Sequence, residues 1–207
     1  MTDQIETHPL EPFLPNNARL LILGSFPPPK TRWKMDFYYP NIQNDMWRIF
    51  GAVFFQDKDY FIDLENKAFK EQLLKDFLNE KGIAIFDTAY QVIRQKNNAS
   101  DNFLEIVQVT DLGELLSQIP QCNNILTTGE KATATLLTQF SVHTQAPKIG
   151  QMRIGEIRVG NAIKNMALYR LPSTSRAYPL PFAQKVEHYR QFFQQIGMLK
   201  KNRQQLS

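Results

Sequence analysis

Apolar and polar positions alternate in blocks along the chain, and these blocks predict a repeating order of strands and helices. Four apolar runs predict strands over Arg19–Gly24, Ile83–Phe86, Asn124–Thr127 and Lys164–Leu171. Continuous apolar runs are typical of strands that are covered on both faces of a parallel sheet. A fifth run, Met152–Val159, predicts an edge strand.

Helical signals occupy the stretches between the predicted strands. Asn44 begins a predicted helix that continues to about Val53. Asn66 is predicted to cap a helix over 67–80, which Lys81 and Gly82 close. Three further helices are predicted. One begins at Asp111 and ends before Pro120, and the other two run over about 130–140 and 181–196. Alternation of strands and helices indicates an α/β fold with a mainly parallel sheet and helices on both faces.

The chain is long enough for one well-buried core, with 207 residues of which 43% are hydrophobic. Residues 1–18, which contain three prolines, are predicted to form an irregular N-terminal arm. A single domain is expected over 19–197, followed by a basic polar tail over 198–207. The polar stretch from Arg94 to Asp101 predicts a loop.

Composition excludes several classes of site. Cys122 is the single cysteine, so the chain has no internal disulfide, and with three scattered histidines it cannot form a cysteine-rich zinc site. We therefore expect no metal and no cofactor. The N-terminus lacks the pattern of a signal peptide, and no apolar run approaches the roughly 20 residues that a membrane helix needs. These features predict a cytoplasmic protein with no membrane partner.

The charge is mildly basic, with 24 Lys and Arg against 20 Asp and Glu and a net charge of +4. Such an excess permits a nucleic-acid partner without requiring one. Lys30, Arg32 and Lys34 concentrate positive charge in the loop after the first predicted strand.

Two short segments follow predicted strands at opposite ends of the chain. Residues 24–27 read Gly-Ser-Phe-Pro, and residues 171–177 read Leu-Pro-Ser-Thr-Ser-Arg-Ala. Because ligands of open α/β sheets bind at the carboxyl ends of the strands, the two segments are predicted to build one pocket. The first segment lacks both Gly-x-Gly-x-x-Gly and Gly-Lys-Ser/Thr, so dinucleotide and P-loop phosphate sites find no support.

Three kinds of side chain near these segments carry candidate chemistry. The aromatic run Phe37–Tyr39 could stack on a nucleobase or belong to the core. Asn44 could cap its helix, or its amide could orient water or bind the substrate. Asp87 ends the second predicted strand, where it could orient water or serve as a turn residue. Ser173, Thr174, Ser175 and Arg176 suit contact with phosphate oxygens and the DNA groove.

Taken together and in order, these segments resemble the uracil-DNA glycosylase superfamily, most closely its hypoxanthine-DNA glycosylase-like branch near the mismatch-specific enzymes. That branch shows a Gly-Ser-Phe-Pro motif, a Tyr-Tyr…Pro-x-Asn-x-Phe-Trp stretch and a Leu-Pro-Ser-Thr-Ser motif. The matching segments here are 24–27, 38–47 and 171–175, and the similarity extends through 82–87 and 128–131. It covers about residues 19–195.

The resemblance implies a three-layer α/β/α sandwich around a central, mainly parallel four-stranded sheet. It also implies a monofunctional DNA glycosylase that acts on deaminated bases, hypoxanthine or uracil, flipped out of damaged DNA, with no cofactor and as a monomer. Asn44 then corresponds to a catalytic asparagine, and Tyr39 to the aromatic residue that stacks on the flipped base. The implied base pocket consists of Gly24, Ser25, Phe26, Pro27, Tyr39 and Asp87, and the implied DNA-binding residues are Ser173, Thr174, Ser175 and Arg176.

Three departures from the superfamily pattern keep alternatives open. Phe26 stands where many members have a water-orienting Asp or Asn, and Leu171 stands where the uracil enzymes have a His. Three residues separate Pro40 from Asn44 where the branch usually has one, so Asn41 is a rival for the catalytic amide. A DNA-binding member that has lost catalysis and a hydrolase of free nucleosides or nucleotides are the alternative functions.

Overall fold

The fold is described from a computed structural model that covers residues 4–95 and 100–200. Ten strands and five helices are defined in this part of the chain. The strands are β1 (Ile5–Thr7), β2 (Leu20–Gly24), β3 (Ile62–Asp63), β4 (Ala68–Phe69), β5 (Ile83–Asp87), β6 (Ala89–Arg94), β7 (Leu104–Val109), β8 (Asn124–Thr128), β9 (Met152–Val159) and β10 (Ala162–Leu171). The helices are α1 (Met46–Phe54), α2 (Glu71–Lys81), α3 (Leu112–Gln118), α4 (Glu130–Leu137) and α5 (Phe182–Gln195).

The central sheet has the order β5-β2-β8-β10-β9. The first four of these strands are parallel, and β9 runs antiparallel to β10. The predicted α/β fold with a mainly parallel sheet is therefore confirmed. Every residue of β2 and β5 is buried, because both faces of the sheet are covered at these strands.

The predicted number of strands in this sheet, four, is wrong. Met152–Val159 pairs with β10 over eight residue pairs, from Ala162 opposite Val159 to Tyr169 opposite Met152. The predicted edge strand is thus an integral fifth strand of the sheet. A short turn joins β9 to β10, and antiparallel neighbours with such turns pair readily.

A second sheet, in the order β1-β6-β7, has no counterpart in the sequence prediction. Its first strand lies in the predicted irregular arm, where Ile5 pairs with Ile93 of β6. The predicted loop from Arg94 to Asp101 joins its other two strands, and residues 96–99 of that loop lie outside the described part of the chain. These strands escaped prediction because their apolar runs are short and apolar residues such as Ile5, Tyr90 and Val107 are exposed, so no regular alternation marks a buried face.

Helix α2 begins four residues later than predicted, at Glu71 instead of Lys67. Asn66 does not cap it, because the Asn66 backbone N–H and side-chain amide donate to the Asp63 carboxylate at 3.1 and 2.7 Å. These bonds close the turn of the β3–β4 hairpin. Gly82 ends the helix as predicted, in the left-handed conformation at φ 67°.

The main hydrophobic core fixes the helix that approaches the carboxyl ends of the strands. Helix α1 packs on α5, with Phe50 and Phe193 in an edge-to-face contact at 5.3 Å. Trp47 is fully buried in this core, and its indole N–H donates to the Tyr38 carbonyl at 2.9 Å. The start of α1 is therefore held firmly beside the loop that precedes it. None of the helices in the described ranges combines the length and apolarity needed to cross a membrane.

Candidate functional site

A cavity of about 630 Å³ opens at the carboxyl ends of the parallel strands. This volume lies within the range of small-molecule sites. All of the site residues predicted from the sequence line it: Gly24, Ser25, Phe26, Pro27, Tyr39, Asn44, Asp87, Ser173, Thr174, Ser175 and Arg176. The rival Asn41 also lines the cavity. Segments that are up to 150 residues apart therefore meet at one place, as the motifs at the strand ends predicted.

The start of α1 and the loop after β10 are joined directly by backbone contacts. Asn44 and Ser175 form an antiparallel bridge, and the Asp45 N–H donates to the Thr174 carbonyl at 2.9 Å. Thr174 is buried, whereas Arg176 is exposed. The bridge makes the two segments a continuous rim on one side of the cavity.

The loop after β2 forms the opposite wall. The carbonyl groups of Gly24 and Ser25 accept hydrogen bonds from the backbone N–H groups of Thr88 and Ala89 at 2.9 and 3.1 Å. Phe26 is 8% exposed and packs in the small cluster that holds the second sheet, so it anchors the loop. The Arg94 guanidinium donates to the Pro27 carbonyl at 2.7 Å.

The three consecutive aromatic residues divide between the core and the cavity. Phe37 is buried and stacks on Trp47, so it belongs to the core. Tyr38 is buried, lines the cavity and donates its hydroxyl to the Glu11 carbonyl. Tyr39 is half-buried, and its hydroxyl lies 2.9 Å from Thr128 Oγ1. Its φ of 51° is in the left-handed region, a strained conformation that clusters at functional sites.

The amide oxygen of Asn44 is already hydrogen-bonded at the start of α1. Asn44 Oδ1 accepts the Met46 N–H at 2.9 Å, so the amide nitrogen Nδ2 is the polar atom that remains. In the described part of the chain Nδ2 has no hydrogen-bond partner. Asn41 makes a local turn of the same kind, in which its Oδ1 accepts the Gln43 N–H at 3.0 Å. The sequence offered capping and substrate binding as competing roles for Asn44. The N-cap of α1 is Asp45 instead, so the capping role is wrong, and the Asn44 amide oxygen closes a turn onto the first helical residue.

Asp87 lies at the end of β5 with 6% of its surface exposed. Its Oδ2 is 2.9 Å from Nε2 of His8, which comes from the N-terminal arm. His8 was not predicted as a site residue, because an isolated histidine in a proline-containing segment belongs to no recognisable motif.

A second carboxylate, Asp101, also lines the cavity and was also missed. Burial raises the pKa of Asp101, and the nearby Asp87 carboxylate raises it further, whereas a hydrogen bond from Ser25 lowers it. Its place at the end of the polar stretch predicted as a loop was the only signal for it in the sequence.

Lys185 ties the loop after β10 to α5 and to the start of α1. This lysine is 1% exposed, its ammonium donates to the Ser175 carbonyl at 2.7 Å, and it lies 3.9 Å from Asp45 Oδ2. The other oxygen of Asp45 accepts a hydrogen bond from Arg176 Nε at 2.9 Å. Burial lowers the pKa of Lys185, and the Asp45 carboxylate opposes that shift. Asp45, Ser175, Arg176 and Lys185 are called the loop clamp below.

Charged groups of both signs surround the cavity. Arg32 and Arg176 are exposed at its rim. Within residues 4–95 and 100–200, no group of three or more His, Cys, Asp or Glu side chains is arranged to hold a metal ion.

Comparison with known proteins places this geometry in a known fold. No family model matches the sequence, and no curated protein matches it. Among solved structures, the chain is similar to the solution NMR structure of a candidate uracil DNA glycosylase from Methanosarcina acetivorans. The TM-score is 0.61 at 20% sequence identity, and the match covers 94% of this chain and 99% of that one. The likeness extends over nearly the whole of both chains and shows a shared fold.

Proposed function

We propose that this chain is a monofunctional DNA glycosylase that hydrolyses the N-glycosidic bond of a deaminated base, hypoxanthine or uracil, flipped out of DNA. The observation that carries the proposal is the bridge between Asn44 and Ser175 at the rim of one cavity. It sets a candidate catalytic amide beside a loop rich in hydroxyl groups. The fold shared with the candidate uracil DNA glycosylase and the order of the sequence motifs support the same function.

Tyr39 and the loop after β2 are the proposed base-binding walls. The Tyr39 ring borders the cavity, and a hydrogen bond to Thr128 fixes its tilt. Aromatic rings hold flipped bases by stacking, which tolerates different bases because each has a π-face. The positive φ of Tyr39 is the backbone conformation that presents its ring here.

Asn44 is the proposed catalytic group. When the bond between C1′ and the base nitrogen breaks, the base departs with negative charge while the sugar gains oxocarbenium character. Asn44 Nδ2, which has no hydrogen-bond partner among the described residues, is a donor that can stabilise a developing anion. A preorganised donor of this kind contributes about 2.7–4 kcal/mol. A water molecule then adds to C1′ and loses one proton to solvent, and the departed base anion takes up one proton from solvent, so atoms and charge balance.

The loop after β10 is the proposed contact to the DNA backbone. Ser173 and Ser175 are half-buried at the cavity, and Arg176 is exposed with its guanidinium oriented by Asp45. These groups suit phosphate oxygens, which proteins contact through hydroxyl, N–H and guanidinium donors. Buried Thr174 would act differently, because its carbonyl accepts the Asp45 N–H and so shapes the loop.

The proposal is tested by an excision assay on 5′-labelled duplexes that carry uracil, hypoxanthine, xanthine or a thymine mismatch. Base release leaves an abasic site, which alkali converts to a strand break. We expect alkali-dependent cleavage at hypoxanthine or uracil and none at the matched undamaged base. An unmodified duplex and the Asn44→Ala variant serve as controls.

The same assay separates the alternative functions. Salt-sensitive binding to all duplexes without cleavage would identify a catalytically silent DNA-binding protein. Release of base from free nucleosides or nucleotides, but from no duplex, would identify a nucleoside or nucleotide hydrolase. Either result contradicts the proposal.

A further inference from the structure

The N-terminal segment crosses the end of β5 and is held on both sides of it. His8 donates its backbone N–H to the Tyr90 carbonyl at 2.8 Å, next to the pairing of β1 with β6. Phe13 exchanges two backbone hydrogen bonds with Ile85, at 3.0 and 2.9 Å. Asp87 lies between these two attachments along the chain. The segment predicted to be an irregular arm therefore forms a strap over the carboxyl end of β5.

The strap brings one ionisable side chain into contact with the cavity wall. His8 Nε2 lies 2.9 Å from Asp87 Oδ2, and the two side chains are 0% and 8% exposed. An ionised carboxylate only accepts hydrogen bonds, so opposite an ionised Asp87 the hydrogen resides on Nε2. The Leu10 backbone flanks the other ring nitrogen, with its amide nitrogen at 3.2 Å and its carbonyl oxygen at 2.9 Å.

Packing fixes the imidazole ring in this orientation. The ring centroid of His8 lies 4.4 Å from that of Phe86 and 5.3 Å from that of Phe26, the latter edge-to-face. Tyr38 lies on a further side, with ring centroids 6.2 Å apart. Since Phe26 and Tyr38 both line the cavity, the histidine is enclosed directly behind the cavity wall.

The second oxygen of Asp87 lies at Gly24 and Tyr39. A Cβ atom added to Gly24 would lie 2.5 Å from Asp87 Oδ1 and 3.2 Å from the Tyr39 hydroxyl. Gly24, Tyr39 and Asp87 all line the cavity. One carboxylate oxygen is thus held by His8, while the other borders the proposed base-binding wall.

We infer that His8 is a positioning residue that fixes the Asp87 carboxylate as a hydrogen-bond acceptor for a ring N–H of the flipped base. Deamination converts a ring nitrogen lone pair of adenine or cytosine into an N–H in hypoxanthine or uracil. A fixed acceptor meets a donor in the deaminated base and a lone pair in its parent. A site that hydrogen-bonds one form rejects the other strongly, because its own polar group is otherwise left unpaired. This inference rests on the proposed glycosylase function.

The experiment compares three substitutions of His8 on hypoxanthine and uracil duplexes. Gln can place an amide N–H near the position of Nε2, whereas the shorter Asn cannot reach it, and Leu has no donor. We expect His8→Leu and His8→Asn to lower kcat/KM about tenfold or more, since hydrogen bonds to charged groups are among the strongest. His8→Gln is expected to recover activity to within about threefold of wild type. If the His8→Leu variant does not fold, the difference in kcat/KM between His8→Gln and His8→Asn shows whether a donor at the position of Nε2 is needed.

A double-mutant cycle with Asp87→Asn distinguishes positioning from general stability. In the Asp87→Asn background, removal of the His8 donor is expected to cost little more activity. Thr7→Ala is the matched control, because Thr7 lies in the same strap, is exposed and contacts Gln91 away from the cavity. Thermal midpoints of all variants identify losses that follow from unfolding of the strap.

Two results would overturn the inference while leaving the proposed function intact. In the first, the wild type is active and the His8→Leu variant is equally active. In the second, the losses of kcat/KM caused by His8→Leu and Asp87→Asn multiply in the double variant, as they would for two independent residues. A wild type that releases no base from any duplex would overturn the proposed function and, with it, this inference.

Discussion

Two carboxylates share the cavity, and different neighbours surround each of them. Asp87 is paired with His8, whereas Asp101 accepts a hydrogen bond from Ser25 and has its pKa raised by burial and by Asp87. Pairs of titratable groups whose environments differ in this way are typical of sites that bind or transform a ligand. Ionisation of Asp101 is therefore harder in the folded protein than in the unfolded chain.

This asymmetry predicts the pH dependence of stability. A carboxyl group whose pKa is raised by folding stabilises the protein fully below its unfolded pKa, and this contribution is lost as pH rises through the folded pKa. Asp101→Asn should therefore increase the free energy of unfolding at pH 7 relative to wild type, and the gain should shrink towards pH 4. Denaturant unfolding at both pH values measures it. An equal difference at the two pH values would contradict the raised pKa.

Residue chemistry could be predicted from the sequence where a motif carried it. The positions of Asn44 and Tyr39 at the cavity could be predicted because each follows a strand-end loop in a recognisable order. His8 and Asp101 could not be found, because their partners Asp87 and Ser25 are distant along the chain. Only tertiary pairing reveals such residues.

At the scale of secondary-structure elements, the loop clamp joins α1, α5 and the loop after β10. Its lysine is buried and supplies the donor for the Ser175 carbonyl. Asp45 is bound from two sides, by Lys185 and Arg176. Without Lys185, Asp45 would keep Arg176 as a partner, but the Ser175 carbonyl would lose its donor, and an unsatisfied buried acceptor costs about 1–3 kcal/mol.

Lys185→Met should therefore destabilise the protein by about 1–3 kcal/mol and loosen the loop after β10, the proposed contact to DNA, from Asn44. Excision should fall at least tenfold at a temperature where the variant is still folded. Gln191→Ala on the same helix is the control, since Gln191 is exposed and its side-chain amide donates to Glu187 of the same helix. Denaturant titration and excision rates measure the two effects. A Lys185→Met variant with wild-type stability and activity would show that the clamp has no such role.

The parallel strands could be predicted because β2 and β5 are apolar throughout. The second sheet could not, because β1 has three residues and pairs with a strand more than 80 residues away. The start of α2 was predicted wrongly because Asn is common both in turns and at helix caps, and Asn66 lies in the β3–β4 turn. Local sequence patterns were therefore sufficient to predict the long strands and helices. The short strands depend on contacts between segments that are distant along the chain, so they could not be predicted.

At the scale of the whole molecule, the net charge of +4 is modest, so the position of the cations matters more than their number. Arg32 is exposed at the cavity rim. We expect Arg32→Gln to weaken binding to every duplex and to reduce the slope of log affinity against log salt by about 1. Fluorescence anisotropy at several salt concentrations measures the slope.

Arg153→Gln provides the matched control for this charge change. Arg153 is exposed on β9, at the edge of the sheet, and does not line the cavity. An equal loss of slope for both variants would indicate that DNA contacts the molecule without preference for the cavity face.

The central claim is that Asn44, fixed by the start of α1 and bridged to Ser175, stabilises the departing base. Asn41 is the matched comparison, because it lines the same cavity and is held by a local turn. Single-turnover excision by wild type, Asn44→Ala and Asn41→Ala on one deaminated duplex, with DNA affinity measured in parallel, tests the claim most directly. We expect a loss of at least about a hundredfold for Asn44→Ala with DNA binding retained, and a change within about threefold for Asn41→Ala. Wild-type turnover by Asn44→Ala, or the larger loss in Asn41→Ala, would contradict it.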